Sequence, residues 1–115
     1  MDKDQVEQLI QRLEKATDEI YDETVNAENE GWIEFDRSFQ ICSDLREIAS
    51  DMEQSMKGSR SRQLVQKLRE VIDSIYKETV CLKEAGWPSV YYNTHICGYS
   101  LPEISDGMKK ILIRL

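Results

Sequence analysis

Residues 9–32 (LIQRLEKATDEIYDETVNAENEGW) recur fifty-five positions later as residues 64–87 (LVQKLREVIDSIYKETVCLKEAGW). Leu9/Leu64, Gln11/Gln66, Leu13/Leu68, Asp18/Asp73, Ile20/Ile75, Tyr21/Tyr76, Glu23/Glu78, Thr24/Thr79, Val25/Val80, Gly31/Gly86 and Trp32/Trp87 are shared in one register. That many identities at a constant spacing read as a tandem duplication. Two similar units in one chain are expected to pack on each other, so the repeat constrains architecture before any single residue is weighed. It is silent about activity.

The repeated unit has helical periodicity. Val6, Leu9, Ile10, Leu13, Ala16, Thr17, Ile20, Thr24 and Ala27 recur at steps of three and four, one apolar stripe on an otherwise charged helix expected over about residues 2–30. Asp2 with Gln5 suits an N-cap and capping box, and Gly31 suits the left-handed residue that ends a helix. The copy, over about 61–85, places Leu64, Val65, Leu68, Val71, Ile72, Ile75, Thr79 and Leu82 on its stripe and stops at Gly86-Trp87, where Pro88 forbids continuation.

A second helix, about 34–57, directs Ile41, Leu45, Ile48, Met52 and Met56 inward, with Phe35, Phe39, Cys42 and Ala49 flanking. At the spacing of fifty-five, only Ile96-Cys97 answers Ile41-Cys42, so residues 88–99 are expected to be irregular. A fourth helix, about 101–114, restarts at Ser100-Leu101-Pro102-Glu103, which combines an N-cap serine, an early proline and an N3 glutamate. Its stripe is Leu101, Ile104, Met108, Ile111, Leu112 and Leu115, with Gly107 a mild weak point.

The expectation is an all-α chain, an antiparallel four-helix bundle made of two tandemly duplicated helical hairpins, with repeats over about 2–57 and 61–115 in one domain. Residues 58–62 (GSRSR) supply a break and candidate N-caps between the halves. A chain of 115 residues is of ordinary single-domain size. A monomer is expected, with a homodimer that completes the core as the alternative.

Composition narrows the function classes. No apolar run approaches the ~20 residues that span a bilayer, and the start MDKDQVEQL lacks the pattern of a secretory signal. Three cysteines, an odd number, suit reduced thiols. The expected compartment is therefore the cytoplasm. A net charge of −7 disfavours direct nucleic-acid binding, which relies on clustered Lys and Arg. The charge is uneven: residues 1–57 hold 16 acidic and 6 basic side chains, residues 58–115 hold 6 and 9.

Catalytic and metal chemistry find little support. The single histidine, His95, has no Glu three residues before it, which argues against a di-metal carboxylate site of the kind four-helix bundles carry. His95, Cys97, Cys42 and Cys81 match no closed zinc pattern. A Cys97 nucleophile with His95 as base needs more than two residues' proximity in sequence. No phosphate loop or nucleophile elbow is present. No catalytic residue, metal ligand or cofactor is expected.

What remains is surface. Asp18, Glu19, Asp22, Glu23, Glu28 and Glu30, continuing to Glu34 and Asp36, form an acidic run without balancing bases. Such a run can steer association with a basic partner. Residues 89–99 collect Tyr91, Tyr92, His95 and Tyr99, and tyrosine favours recognition surfaces. In the IYDETV and IYKETV motifs, Tyr21 and Tyr76 are expected at the stripe's edge with Glu23 and Glu78 solvated, or else lining a symmetric groove. Trp32 and Trp87 are expected as plugs at the hairpin ends.

The resulting expectation is a small acidic protein that acts by binding another protein, as an inhibitor, immunity-type or adaptor module. The partner would have a basic surface, met by Asp18, Asp22, Glu30, Glu34, Asp36, Tyr91, Tyr92, His95 and Tyr99. One alternative is an inhibitor that mimics nucleic-acid phosphates. The other is a bundle with a small-ligand pocket near Tyr21 and Tyr76.

Overall fold

The computed structural model describes residues 3–30, 35–85 and 99–114, with side chains described for 3–23, 37–77, 79–80 and 99–114. All regular structure among them is helical: α1 (Lys3–Glu30), α2 (Phe35–Ser55), α3 (Ser59–Ala85) and α4 (Leu101–Ile113). None of these helices is long and apolar enough to cross a membrane. The expectations for Asp2, Gly31, Trp32, Trp87 and Pro88 lie outside the described residues.

Each helix forms because its apolar residues fall on one side, and each side is buried as the spacing requires. In α1 the buried positions are Val6, Leu9, Ile10, Leu13, Ala16 and Ile20; in α3 they include Leu64, Val65, Leu68, Ile72 and Ile75. α2 contributes Ile41, Cys42, Leu45, Ile48, Ala49, Met52 and Met56, and α4 contributes Leu101, Ile104, Met108 and Ile111. Cys42 and Ala49 are fully enclosed rather than flanking. These side chains form one continuous core.

The helices pack in a ring, α1 against α2, α2 against α3, α3 against α4 and α4 against α1, as in a bundle. Cross-helix pairs give the directions. Arg12 near the start of α1 meets Asp51 near the end of α2 at 2.7 Å, and Glu23 farther along α1 meets Arg37 near the start of α2 at 3.0 Å. Those two helices therefore run in opposite directions. Lys67 meets Glu103 at 2.9 Å, and Leu64 lies against Gly107, so α3 and α4 are opposed as well. At about 1.5 Å per residue, α1 accounts for most of the 45 Å long dimension. α4 is half as long and lies along the first halves of α1 and α3.

The α2–α3 turn differs from expectation. α2 ends at Ser55, although Met56 N–H still donates to Met52 O at 2.7 Å. Gly58 then takes φ of 106°, a conformation open to glycine and costly for residues with a Cβ. Its carbonyl accepts from Arg62 N–H at 3.1 Å, so α3 starts at Ser59, two residues before the predicted bound. Ser61 is thereby inside the helix, and its hydroxyl donates back to Lys57 O at 3.2 Å instead of capping.

One expectation for α4 is corrected. Ser100 has helical φ and ψ of −68° and −51° and makes no side-chain cap. Pro102 has no N–H to offer the hydroxyl, and the chain is already helical at Ser100. Gly107, low in helix propensity, is also a packing contact: a Cβ there would lie 2.7 Å from Leu64 Cδ2.

The helix α4 also answers α2 more fully than a spacing of fifty-five reveals. Leu101, Ile104, Ser105 and Met108 follow Leu45, Ile48, Ala49 and Met52 by fifty-six residues, and all eight are buried. One extra residue between Cys97 and Leu101 shifts the register and hides this match.

Two predictions follow from the core. Gly107→Ala gains up to about 1 kcal/mol of helix propensity, but forcing Leu64 aside costs more, about 1–3 kcal/mol, so denaturant melts should show net destabilisation. In a Leu64→Val background the same change should be neutral or stabilising. The second concerns Cys42, whose thiol burial pushes up to about 11, the Arg46 guanidinium pulling only partly back. An unfolded thiol ionises near about 8.5. The stabilisation from keeping the thiol protonated is thus complete below that pH and is lost as pH rises toward 11. Alkylation mapped by mass spectrometry should spare Cys42 until the chain unfolds, and a Cys42→Val variant should lose that part of the alkaline decline.

Candidate functional site

The stripe that buries α1 also sorts its exposed residues into two flanks. The flank toward α2 holds Arg12, Glu19 and Glu23, and the flank toward α4 holds Glu7, Glu14, Asp18 and Tyr21, with Asp22 pointing outward. Glu14, Asp18 and Asp22 stand four residues apart, one above another along the helix, a spacing at which like charges repel. A groove of about 340 Å3 between α1 and α4 is lined by Glu14, Thr17, Asp18, Pro102, Ser105, Asp106 and Lys109. Lys109 Nζ meets Glu14 Oε1 at 2.8 Å. This hydrogen bond and the neighbouring carboxylates raise the Lys109 pKa above its ordinary value, so the lysine stays charged. One ammonium thus stands among the carboxylates of Glu14, Asp18 and Asp106, with Asp22 next above.

The structure distributes the predicted site residues unevenly. Asp18 lines this groove, and Asp22 is exposed one turn beyond it. Tyr99, 70 % exposed, lies two residues before the start of α4. Glu30 belongs to α1 and Asp36 to α2, their side chains outside the described set. Glu34, Tyr91, Tyr92 and His95 lie outside the described residues, as does Cys97. Among the described residues no group of three or more His, Cys, Asp or Glu side chains is placed to hold a metal ion.

Glu23 corrects the reading of an unbalanced, solvated acidic run. It is 5 % exposed, and its carboxylate accepts from Arg37 Nε at 3.0 Å. The reason is angular: Glu23 falls on the α2 flank, three residues beyond Ile20, where Arg37 from the first turns of α2 can reach it.

The repeated tyrosines do not share one groove. Tyr76 lies on the α2 side of α3, its ring 5.6 Å from that of Phe39 and under the Arg46 guanidinium at 5.1 Å. Tyr21 occupies the matching angle on α1, which faces the α4 side, and is 56 % exposed. The counterpart of Arg46 at the α4 register is Pro102, which offers no cation.

Two outer faces of the bundle hold equivalent positions, α2–α3 on one side and α4–α1 on the other. At three exposed positions they differ in sign, while Asp18 and Asp73 keep it. Arg62, Arg69 and Lys77 on α3 stand where α1 has Glu7, Glu14 and Asp22. The α2–α3 groove, about 530 Å3, is lined by Lys57, Arg62 and Arg69 with Glu53 the one acid. Reading the acidic run alone missed Glu14 and Asp106. Comparing the two copies position by position would have found Glu14, whereas Asp106 joins the face only because α4 packs beside α1.

Comparison of the chain with known protein families, curated proteins and solved structures found no match to any of them.

The Glu23–Arg37 pair yields a stability prediction. Arg37→Leu leaves a nearly enclosed carboxylate with one partner fewer, which costs several kcal/mol in a fully buried pair and about 1–3 kcal/mol here, since Arg37 is 45 % exposed. Adding Glu23→Gln should recover part of the loss. A cost for Arg37→Leu below about 0.5 kcal/mol, within the range of ordinary surface changes, would show that the pair matters little.

Proposed function

We propose that this chain is a protein-binding module whose α1–α4 face, carrying Glu7, Glu14, Asp18, Asp22 and Asp106 with Tyr21 beside them, docks on a basic surface of another protein. The observation that carries the reading is the sign change between two otherwise equivalent faces. Buried positions keep their apolar character from copy to copy, as core packing requires, while three exposed positions on this flank are acidic where the copy is basic. Stacked carboxylates at Glu14, Asp18 and Asp22 cost stability rather than adding it, about 0.2–0.5 kcal/mol per neighbouring pair. A concentrated field of one sign speeds encounter with an oppositely charged partner and rejects like-charged ones.

The same reading takes the two hairpins, α1–α2 and α3–α4, as descendants of one duplicated unit in an antiparallel four-helix bundle. The site then belongs to what diverged after duplication. The proposed setting is the cytoplasm, where a thiol such as Cys42 stays reduced.

The test is quantitative capture from lysate of the native host, comparing the unaltered chain with Asp18→Asn/Asp22→Asn/Asp106→Asn and with an opposite-face control, Arg62→Gln. A protein retained by the unaltered chain and the control, and depleted at least ten-fold by the triple variant, is the expected outcome. Equal retention by all three chains would sink the proposal. Release of that protein by added DNA would assign the face to phosphate mimicry instead of ordinary protein docking.

A further inference from the structure

Among the described residues five ion pairs join neighbouring helices, three within the hairpins and two between them. Within the hairpins, Arg12–Asp51 at 2.7 Å in α1–α2 and Lys67–Glu103 at 2.9 Å in α3–α4 put the base on the first helix, while Glu23–Arg37 at 3.0 Å in α1–α2 puts the acid there. Arg12 and Lys67 are fifty-five residues apart, so each copy carries one pair with the base at that position of its first helix. The two pairs between hairpins are opposite in sense to each other. Arg69 of α3 meets Glu53 of α2 at 2.6 Å, while at the matching positions Glu14 of α1 meets Lys109 of α4 at 2.8 Å. Glu14 precedes Arg69 by fifty-five residues and Glu53 precedes Lys109 by fifty-six, the spacing at which α2 and α4 share their buried residues.

The consequence appears when the wrong hairpins are brought together. Two similar amphipathic hairpins offer similar apolar stripes, so hydrophobic burial alone discriminates poorly between unlike and like pairs. Packing one α1–α2 hairpin on another would set Glu14 opposite Glu53 on both seams. Packing α3–α4 on its own kind would set Arg69 opposite Lys109 on both seams. Only the unlike combination joins acid to base at both positions. The hairpin-contacting face that presents Glu14 and Glu53 therefore fits a partner that presents a base at each matching position, and the second half of the same chain is that partner.

We infer that the reversed Glu14–Lys109 and Arg69–Glu53 pairs select unlike hairpins, so that association of copies through like hairpins is opposed by charge. Specificity by built-in repulsion is a general device for otherwise similar surfaces. The inference rests on the two-hairpin reading and is separate from docking on a basic partner, since its readout needs no partner.

The test uses five versions of the full chain. Glu14→Arg/Lys109→Glu keeps every ion pair within a single chain satisfied but gives both seams one polarity, making like hairpins compatible. Glu53→Arg/Arg69→Glu does the same with the opposite sense. The quadruple variant combining all four changes restores the unlike code with reversed signs. Each chain is refolded from denaturant over a concentration series in low salt, and its self-association is measured by sedimentation. The expected result is at least ten-fold stronger association for both double variants than for the unaltered chain, a return to unaltered behaviour in the quadruple, and loss of the difference near 1 M salt, where screening reaches about 3 Å. Identical association states for the unaltered chain and both doubles would overturn the inference, as would a quadruple that associates like the doubles. The Asp18→Asn/Asp22→Asn/Asp106→Asn variant, which leaves Glu14, Lys109, Glu53 and Arg69 in place, should associate like the unaltered chain whatever its effect on partner capture, which separates failure here from failure of the docking face.

Discussion

Everything in this molecule depends on one apolar stripe per helix and the absence of any place for that stripe except against other stripes. Burying a Leu, Ile or Met side chain stabilises by about 1.5–3 kcal/mol relative to leaving it in water, and the described core contains more than twenty buried hydrophobic residues. An exposed ion pair contributes about 0–1 kcal/mol. Burial therefore holds the helices together. The surface charges, too weak to do so, are free to decide which surface meets which.

That division of labour accounts for where the two similar segments agree and where they differ. Leu9/Leu64, Leu13/Leu68 and Ile20/Ile75 are buried in both hairpins, and a volume change at any of them would be felt throughout the core. Glu14 and Arg69 sit at the same helical angle at the rim, where a sign change is tolerated if the residue across the seam changes with it. Lys109 and Glu53 supply that compensation. The result is a bundle with a basic α2–α3 face and an acidic α1–α4 face built on similar backbones.

Much of the fold was legible in the chain. The three- and four-residue spacing of Val6, Leu9, Ile10, Leu13 and Ile20 identified α1 and its buried face because helical geometry turns spacing directly into angle. The half-match of α2 and α4 was not legible at a fixed repeat length, since one additional residue displaces everything after it; burial of Leu101, Ile104, Ser105 and Met108 supplies the alignment. The site was legible in part. Asp18 and Asp22 were identified from charge alone, but Glu23 was grouped with them although it differs from Asp22 by a turn of about 100° about the helix axis. That step takes it from water to the α2 seam.

By itself the sequence determined which residues must leave water and how many helices they form. These follow from local spacing and hydrophobicity, which act along the chain. Only the tertiary structure decided that Gly107 is held by Leu64, that Glu23 is enclosed beside Arg37, that Asp106 joins Asp18 in one groove, and that Glu14 and Arg69 face oppositely charged partners across equivalent seams. Those are relations between helices distant in sequence, and charge and shape acquire meaning there only after packing has chosen what stands opposite.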